Sequence, residues 1–452
     1  MDLENRGEKI EVVMTARDTY DRLSVKDDVV FKEDTSETER NIINIYDDIK
    51  YQEIVGFGGA FTEAASTTLD KLTGDKRDEV LNAYFNPKAG IGYTLCRTHI
   101  NSCDFSLGNY SYDDTDGDTE LENFSIGRDE KSLIPFIKDA ADVEGSRFKL
   151  FASPWSPPAW MKTNGMMNYG GKLKGEYYET WAKYIAKYIK SYREDGIDIW
   201  GITVQNEPKA RQKWDSCIYT AAEEKDFVRD YLGPILHREC PGDVKIMIWD
   251  HNKERVYERA KAAFEDPKAS KYIWGTAFHW YSGEHFEALS AVHDKFPDKY
   301  LIHTEGCVEG GANIGSWKTG ERYGHDIIGD LNNWASGWTD WNMVLDEIGG
   351  PNHVGNYCDA PIIADTKSNT LKYESSYYYM GHFSKYIRPG YRRIGYSKFT
   401  EKLDVTAFES NEKDIVVVIL NRQDDKINFN LRTKYGIAEI TSPAHSIMTL
   451  LY

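Results

Sequence analysis

The chain has 452 residues, 40% of them hydrophobic and 28% charged, a composition that supplies a large core and excludes intrinsic disorder. Its 55 basic and 73 acidic side chains leave a net charge of -18, which on electrostatic grounds excludes nucleic acid and anionic membrane surfaces as partners and favours a neutral ligand. That length is too great for one small core and suits a large barrel with an accessory domain.

The opening stretch Met1-Asp2-Leu3-Glu4-Asn5-Arg6 has no apolar run. No signal peptide is therefore visible, and the expected location is cytoplasmic, or secreted if a leader has been removed. No stretch approaches the roughly 20 apolar residues that span a bilayer, so no transmembrane segment is expected. Next come two short strand-like runs, 9–14 and 41–45. Eight apolar or β-branched runs then follow in order: 54–61, 92–99, 148–154, 199–207, 245–250, 275–281, 300–306 and 337–342. Between most of them lie segments of helical period; in 177–189 the apolar positions recur at three and four residues. Eight strands alternating with helices predict a (β/α)8 TIM barrel, an α/β fold whose catalytic groups sit at the carboxyl ends of the strands. From about Arg392 the chain changes to short alternating runs punctuated by Asn, Asp and Gly, the pattern of an antiparallel β sandwich. The early runs join this sandwich, so both chain ends build one accessory domain. The expected division is residues 1–50 and 386–452 for the sandwich and 51–385 for the barrel.

Two glutamates stand where predicted strands run out: Glu207 in Val204-Gln205-Asn206-Glu207-Pro208 and Glu305 in Ile302-His303-Thr304-Glu305-Gly306. Two such carboxyl groups are what glycoside hydrolysis needs, one to protonate the leaving oxygen and one to attack the anomeric carbon. Pro208 is read as ending its strand. As the acid, Glu207 needs a raised pKa, which burial beside a second carboxylate supplies. Strand alternation sends His279 and Tyr281 to one side and Trp280 to the other, and a Tyr281 hydroxyl there can donate to the nucleophile. Arg97 and Asp104, seven residues apart, read first as a structural ion pair. Trp155, on a proline-rich loop, and Trp341 are rigid platforms for stacking a sugar, while Asn206 can hold a hydroxyl. The Gly56-Phe57-Gly58-Gly59 stretch lacks phosphate-loop spacing and reads as close packing at the barrel rim. His279, His303 and Glu305 have no metal-ligand spacing, so no metal or other cofactor is expected. The cysteines at 96, 103, 217, 240, 307 and 358 follow neither a disulfide nor a zinc pattern, and free thiols are expected.

Taken in order, Gly56-Phe57-Gly58-Gly59-Ala60-Phe61, Ser102-Cys103-Asp104-Phe105-Ser106, Ser153-Pro154-Trp155-Ser156-Pro157-Pro158, Asn206-Glu207-Pro208, His279-Trp280-Tyr281, Thr304-Glu305-Gly306-Cys307 and Gly337-Trp338-Thr339-Asp340-Trp341-Asn342 resemble glycoside hydrolase family 30, in its acid β-glucosidase (glucosylceramidase) branch. The resemblance implies a retaining double displacement with Glu207 as acid/base and Glu305 as nucleophile. It also implies sugar contacts from Asp104, Trp155, Asn206, Trp341 and Asn356, with Arg97, His279 and Tyr281 supporting the carboxylates. The short loop after Pro208 and the compact chain look bacterial and weigh against a lipid aglycone. The substrate is then a small-molecule or oligosaccharide β-glycoside. The competing readings are an endo-β-1,6-glucanase or β-xylosidase of the same family and a non-catalytic carbohydrate-binding protein. The oligomeric state is left open.

Overall fold

A computed structural model describes residues 8–35 and 38–452; the opening Met1 to Arg6 lies outside the described residues. Eight parallel strands close into a barrel: β1 (Gly56–Phe61), β2 (Leu95–Ile100), β3 (Lys149–Pro154), β4 (Ile199–Thr203), β5 (Lys245–Asn252), β6 (Ile273–His279), β7 (Tyr300–Glu305) and β8 (Ala335–Asn342), with β8 pairing back onto β1. Each strand overlaps one of the eight expected runs. The fourth is shorter than expected, because β4 stops at Thr203 and Val204 to Glu207 continue outside the sheet. Pro208 therefore does not end the strand.

Alternation along the strands sets two layers inside the barrel. Leu95, Phe151, Met247, Ala277 and Ile302 form a buried apolar layer. Two residues further along β2, β3, β6 and β7, the same faces carry Arg97, Ser153, His279 and Thr304, all fully buried and all polar. Strand β5 joins this polar layer through a bulge. Its register against β6 skips Asp250, and both Trp249 (φ 76°) and Asp250 (φ 53°) adopt the left-handed region. The glycines of β1 have a steric reason: a Cβ on Gly58 would lie 1.9 Å from the Leu95 carbonyl oxygen of β2.

Helices cover the outside of the barrel with apolar stripes. In the helix Tyr178–Glu194 the buried positions Trp181, Tyr184, Ile185, Tyr188, Ile189 and Tyr192 recur at three and four residues. Buried large side chains of this kind each contribute about 1.5–3 kcal/mol by leaving water.

The accessory domain draws on both chain ends. Strand Lys9–Ala16 pairs with Ser446–Leu451, and the long strand Ile42–Glu53 pairs with Arg392–Lys398. Strands Leu403–Glu409, Ile415–Asn421, Ile427–Thr433 and Gly436–Ser442 complete a sheet that wraps around its own core of Ile10, Val12, Ile43, Val405, Val417, Ile419, Leu431 and Leu450. Its pairing is antiparallel except where Ile427–Thr433 runs parallel to Ile42–Glu53. A small sheet of Val344–Asp346, Ile362–Asp365 and Thr370–Tyr373, not foreseen from the pattern, brackets the loop after β8 and so fixes Asn356. Among the described residues no helix is long and apolar enough to cross a membrane.

Candidate active site

The carboxyl ends of the barrel strands enclose a cavity of about 190 Å³ lined by Asp104, Trp155, Asn206, Glu207, Tyr281, Glu305, Trp341 and Asn356, together with Phe105, Gln212, Trp214 and His251. This is below the roughly 300–1,000 Å³ of pockets for drug-sized ligands and suits a single small ring. Both glutamates face it.

The polar layer beneath the cavity is a connected network. Arg97 is fully buried and donates in four directions: to the Thr304 carbonyl at 2.9 Å, Glu305 Oε2 at 3.1 Å, Asn206 Oδ1 at 2.9 Å and Asp250 Oδ2 at 2.8 Å. Its guanidinium carbon lies 4.8 Å from the centre of the Trp155 ring. Tyr281 donates to Glu305 Oε1 at 2.9 Å, so both oxygens of that carboxylate have a donor. Asp250 receives Arg97, the Thr203 hydroxyl at 2.6 Å, the Thr304 hydroxyl at 2.6 Å and His279 Nε2 at 2.9 Å. Because Asp250 fixes His279 at one ring nitrogen, the other faces Glu207, with Nδ1 3.6 Å from Oε1. His251 Nε2 approaches the same oxygen at 3.6 Å.

Glu207 is held by the backbone. It adopts φ 45°, rare outside glycine, and its N–H donates to the Asp250 carbonyl at 2.9 Å. Such strain persists only where the surroundings over-determine it. Next to it, the Asn206 N–H bonds the Pro154 carbonyl at 2.8 Å and Gln205 Nε2 bonds the Trp155 carbonyl at 2.7 Å, tying β3 and β4 loops together.

The far wall holds the sugar-type contacts. Trp155 and Trp341 stack with centroids 5.1 Å apart. Asp104 accepts from Asn356 at 3.1 Å and Asn352 at 3.3 Å. Asp104 and Arg97 are thus not the ion pair the sequence suggested: Arg97 points into the barrel at Asp250 and Glu305, while Asp104 turns outward to the asparagines.

Burial and charge divide the titrations. Burial works against an ionised Asp250, but the Arg97 guanidinium and His279 hold it well below the usual carboxylate range. Burial also opposes a charged His279, and the carboxylates of Glu305, Asp250 and Glu207 overcome it, raising the imidazole to about 9. Burial pushes Asp104 up to about 7, against its asparagine donors. Burial raises Glu305, with His279 and Arg97 opposing. Burial acts to raise Glu207 too, yet His279 and His251 favour its anion and hold it below its ordinary value. The raised acid expected from sequence is therefore reversed, because two imidazoles sit beside Glu207.

The ten residues given a catalytic, sugar-binding or supporting role from the sequence fall at this site: eight line the cavity and Arg97 and His279 lie directly beneath. Sequence reasoning missed Asp250, although the fifth run ended on it. It also missed His251, Gln212 and Trp214, which no local pattern marks.

The glycosyl hydrolase family 30 TIM-barrel domain matches residues 54–387, and the family's β sandwich domain matches residues 390–450. The chain belongs to glycosyl hydrolase family 30. This family 30 hydrolase is 35% identical to the lysosomal acid glucosylceramidase of Mus musculus over 431 residues, spanning 91% of this chain and 83% of the mouse protein. The crystal structure of SrfJ from Salmonella typhimurium is similar at 38% identity and a TM-score of 0.94, covering 98% of this chain and 99% of that one. The endo-β1,6-glucanase BT3312 is similar at 28% identity and a TM-score of 0.86, covering 98% and 99%. The hydrolase is a retaining glycosidase carrying the family's barrel and sandwich.

Proposed function

We propose that this enzyme is an exo-acting β-glucosidase of the glucosylceramidase type, with Glu305 as nucleophile and Glu207 as acid/base. The observation that carries the reading is the shared cavity: both carboxyls face one space of single-ring size, and Glu305 receives a donor on each oxygen, from Arg97 and Tyr281. Two donors satisfy the charged form of an attacking carboxylate and fix its direction. The similarity to a glucosylceramidase supports β-glucose in the site.

In the first step a Glu305 oxygen attacks the anomeric carbon while Glu207 protonates the departing oxygen. For this step Glu207 must be in its protonated form. Once Glu305 is esterified its negative charge is gone, which removes repulsion from Glu207 and suits it to deprotonate the incoming water. Water attack then frees the sugar with its configuration retained. Trp155, Trp341, Asp104, Asn206 and Asn356 hold the ring.

The test uses aryl β-glucoside, xyloside, fucoside and galactoside with the wild type and Glu305→Gly. The glucoside is expected to be turned over best, and the variant to lose on the order of 10⁴ in kcat or more. Azide should restore activity by filling the nucleophile's place. Undiminished hydrolysis by the variant would reject the assignment. The endo-β-1,6-glucanase reading has its own support in BT3312, and internal cleavage of a β-1,6-glucan, instead of release of single glucose units, would favour it.

A further inference from the structure

We infer that Cys307 and Cys358 form an oxidisable dithiol in the wall of the sugar cavity, and that their disulfide closes the enzyme to substrate. The two cysteines are 51 residues apart in sequence by their numbers, yet both line the cavity and belong to the same buried cluster as Trp155 and Trp341. Their segments lie side by side. Glu309 and Cys358 pair as an isolated antiparallel bridge, the Asp359 N–H donates to the Val308 carbonyl at 2.8 Å, and the N–H groups of Gly310 and Gly311 both reach the Tyr357 carbonyl at 3.0 Å. Both side chains face the cavity at this seam, Cys307 beside the Tyr281 hydroxyl and the Cys358 thiol donating to the Asn356 carbonyl at 3.8 Å.

Each sulfur is coupled to a group the reaction uses. Cys307 follows Glu305 by two residues, and its Sγ lies 3.4 Å from the Tyr281 hydroxyl that holds Glu305. Cys358 follows Asn356 by two residues, and Asn356 is bonded to Asp104. An S–S bond of about 2.05 Å is far shorter than any non-bonded sulfur contact, so closing it draws the two segments together. That movement shifts Tyr281 and Asn356, both in the cavity lining, at once.

The chemistry needs a two-electron oxidant, and a small peroxide entering by the cavity supplies it. The Cys358 sulfur, as its thiolate, attacks one peroxide oxygen and breaks the O–O bond. This gives a sulfenic acid and hydroxide. Cys307 then attacks the sulfenic sulfur, forms the S–S bond and expels the second hydroxide. The two thiol protons complete two waters. The neighbouring Cys358 sulfur and burial raise Cys307, and at Cys358 the opposing influence of Cys307 is outweighed by burial, so the cross-link forms faster as pH rises.

The test treats the purified enzyme with hydrogen peroxide and follows two readouts, a non-reducing peptide map and hydrolysis of the aryl β-glucoside. The expected result is a Cys307–Cys358 cross-linked peptide that grows in step with an activity loss of about tenfold or more, the scale of a misplaced supporting group. Dithiothreitol should reverse both. In Cys358→Val and Cys307→Ala, each compared with its own reduced form, oxidant should cause no such loss. Phenyl 1-thio-β-glucoside in the cavity should slow the cross-link. Absence of the cross-linked peptide, a cross-linked enzyme that keeps its activity, or a rate indifferent to the thioglucoside would each overturn the inference. The activity arm rests on the β-glucosidase reading; the peptide map does not. A reduced enzyme inert on every glycoside would therefore count against that reading and leave the cross-link test standing.

Discussion

At the scale of single residues, the site is organised around Asp250, which takes hydrogen bonds from Arg97, Thr203, Thr304 and His279 and so fixes what touches Glu305 and Glu207. Asp104 makes the opposite case, a carboxyl that the site keeps at a cost. Its folded pKa of about 7 lies above its ordinary 3.8. The folded state therefore binds more protons between those values, and stability is lost as pH rises from about 4 through 7. That shift corresponds to about 4 kcal/mol of destabilisation at pH 8. Asp104→Asn is expected to melt higher than wild type at pH 8, with the advantage vanishing near pH 4, and to raise KM for the glucoside. Thermal melts of both proteins across that range check it; an advantage independent of pH would contradict it.

At the scale of elements, close strand approach explains why β1 carries Gly56, Gly58, Gly59 and Ala60 between and beside its two phenylalanines. Gly58→Ala places a methyl 1.9 Å from a backbone carbonyl of β2, where nothing flexible can yield. The expected loss is about 3 kcal/mol or more, the upper end of overpacking, seen as a lower denaturation midpoint or failure to accumulate folded protein. The same geometry governs what the sequence could tell. Apolar runs at eight places made the barrel legible, because a buried parallel strand must be apolar at Leu95, Phe151 and Ile302 whatever its function. Polar residues two positions on, Arg97, His279 and Thr304, were legible as strand-end groups. Asp250 was not, since its inward direction depends on a bulge with two residues at positive φ, which no period-two pattern encodes. The Glu207 titration was equally hidden. It depends on His251 and His279 converging from two strands, β5 and β6, that neighbour it only in space.

At the scale of the whole molecule, the sandwich is locked to the barrel by side chains that respond to pH. His445 of the sandwich has Nδ1 2.6 Å from Glu321 on the barrel helix Trp317–Asn332 and Nε2 2.9 Å from Asp424. An imidazole with a carboxylate at each nitrogen donates at both only when protonated. These partners raise its pKa, so the stabilisation is complete below the unfolded value near 6.5 and is lost as pH rises through the folded value. His445→Gln should therefore lower the melting temperature at pH 5.5 and have much less effect at pH 8.5; an equal effect at both would mean the clamp is not electrostatic. The sandwich in turn supports the helix that packs behind β8, which carries Trp341 to the cavity.

The central claim is that Glu305 bonds to the sugar during turnover, and intact and peptide mass spectrometry of the enzyme treated with 2,4-dinitrophenyl 2-deoxy-2-fluoro-β-glucoside measures this most directly. The account predicts one fluoroglucosyl group on the peptide containing Glu305, with no adduct in Glu305→Gln. Labelling of Glu207 or another carboxylate instead, or steady hydrolysis of β-glucosides by Glu305→Gln, would contradict it.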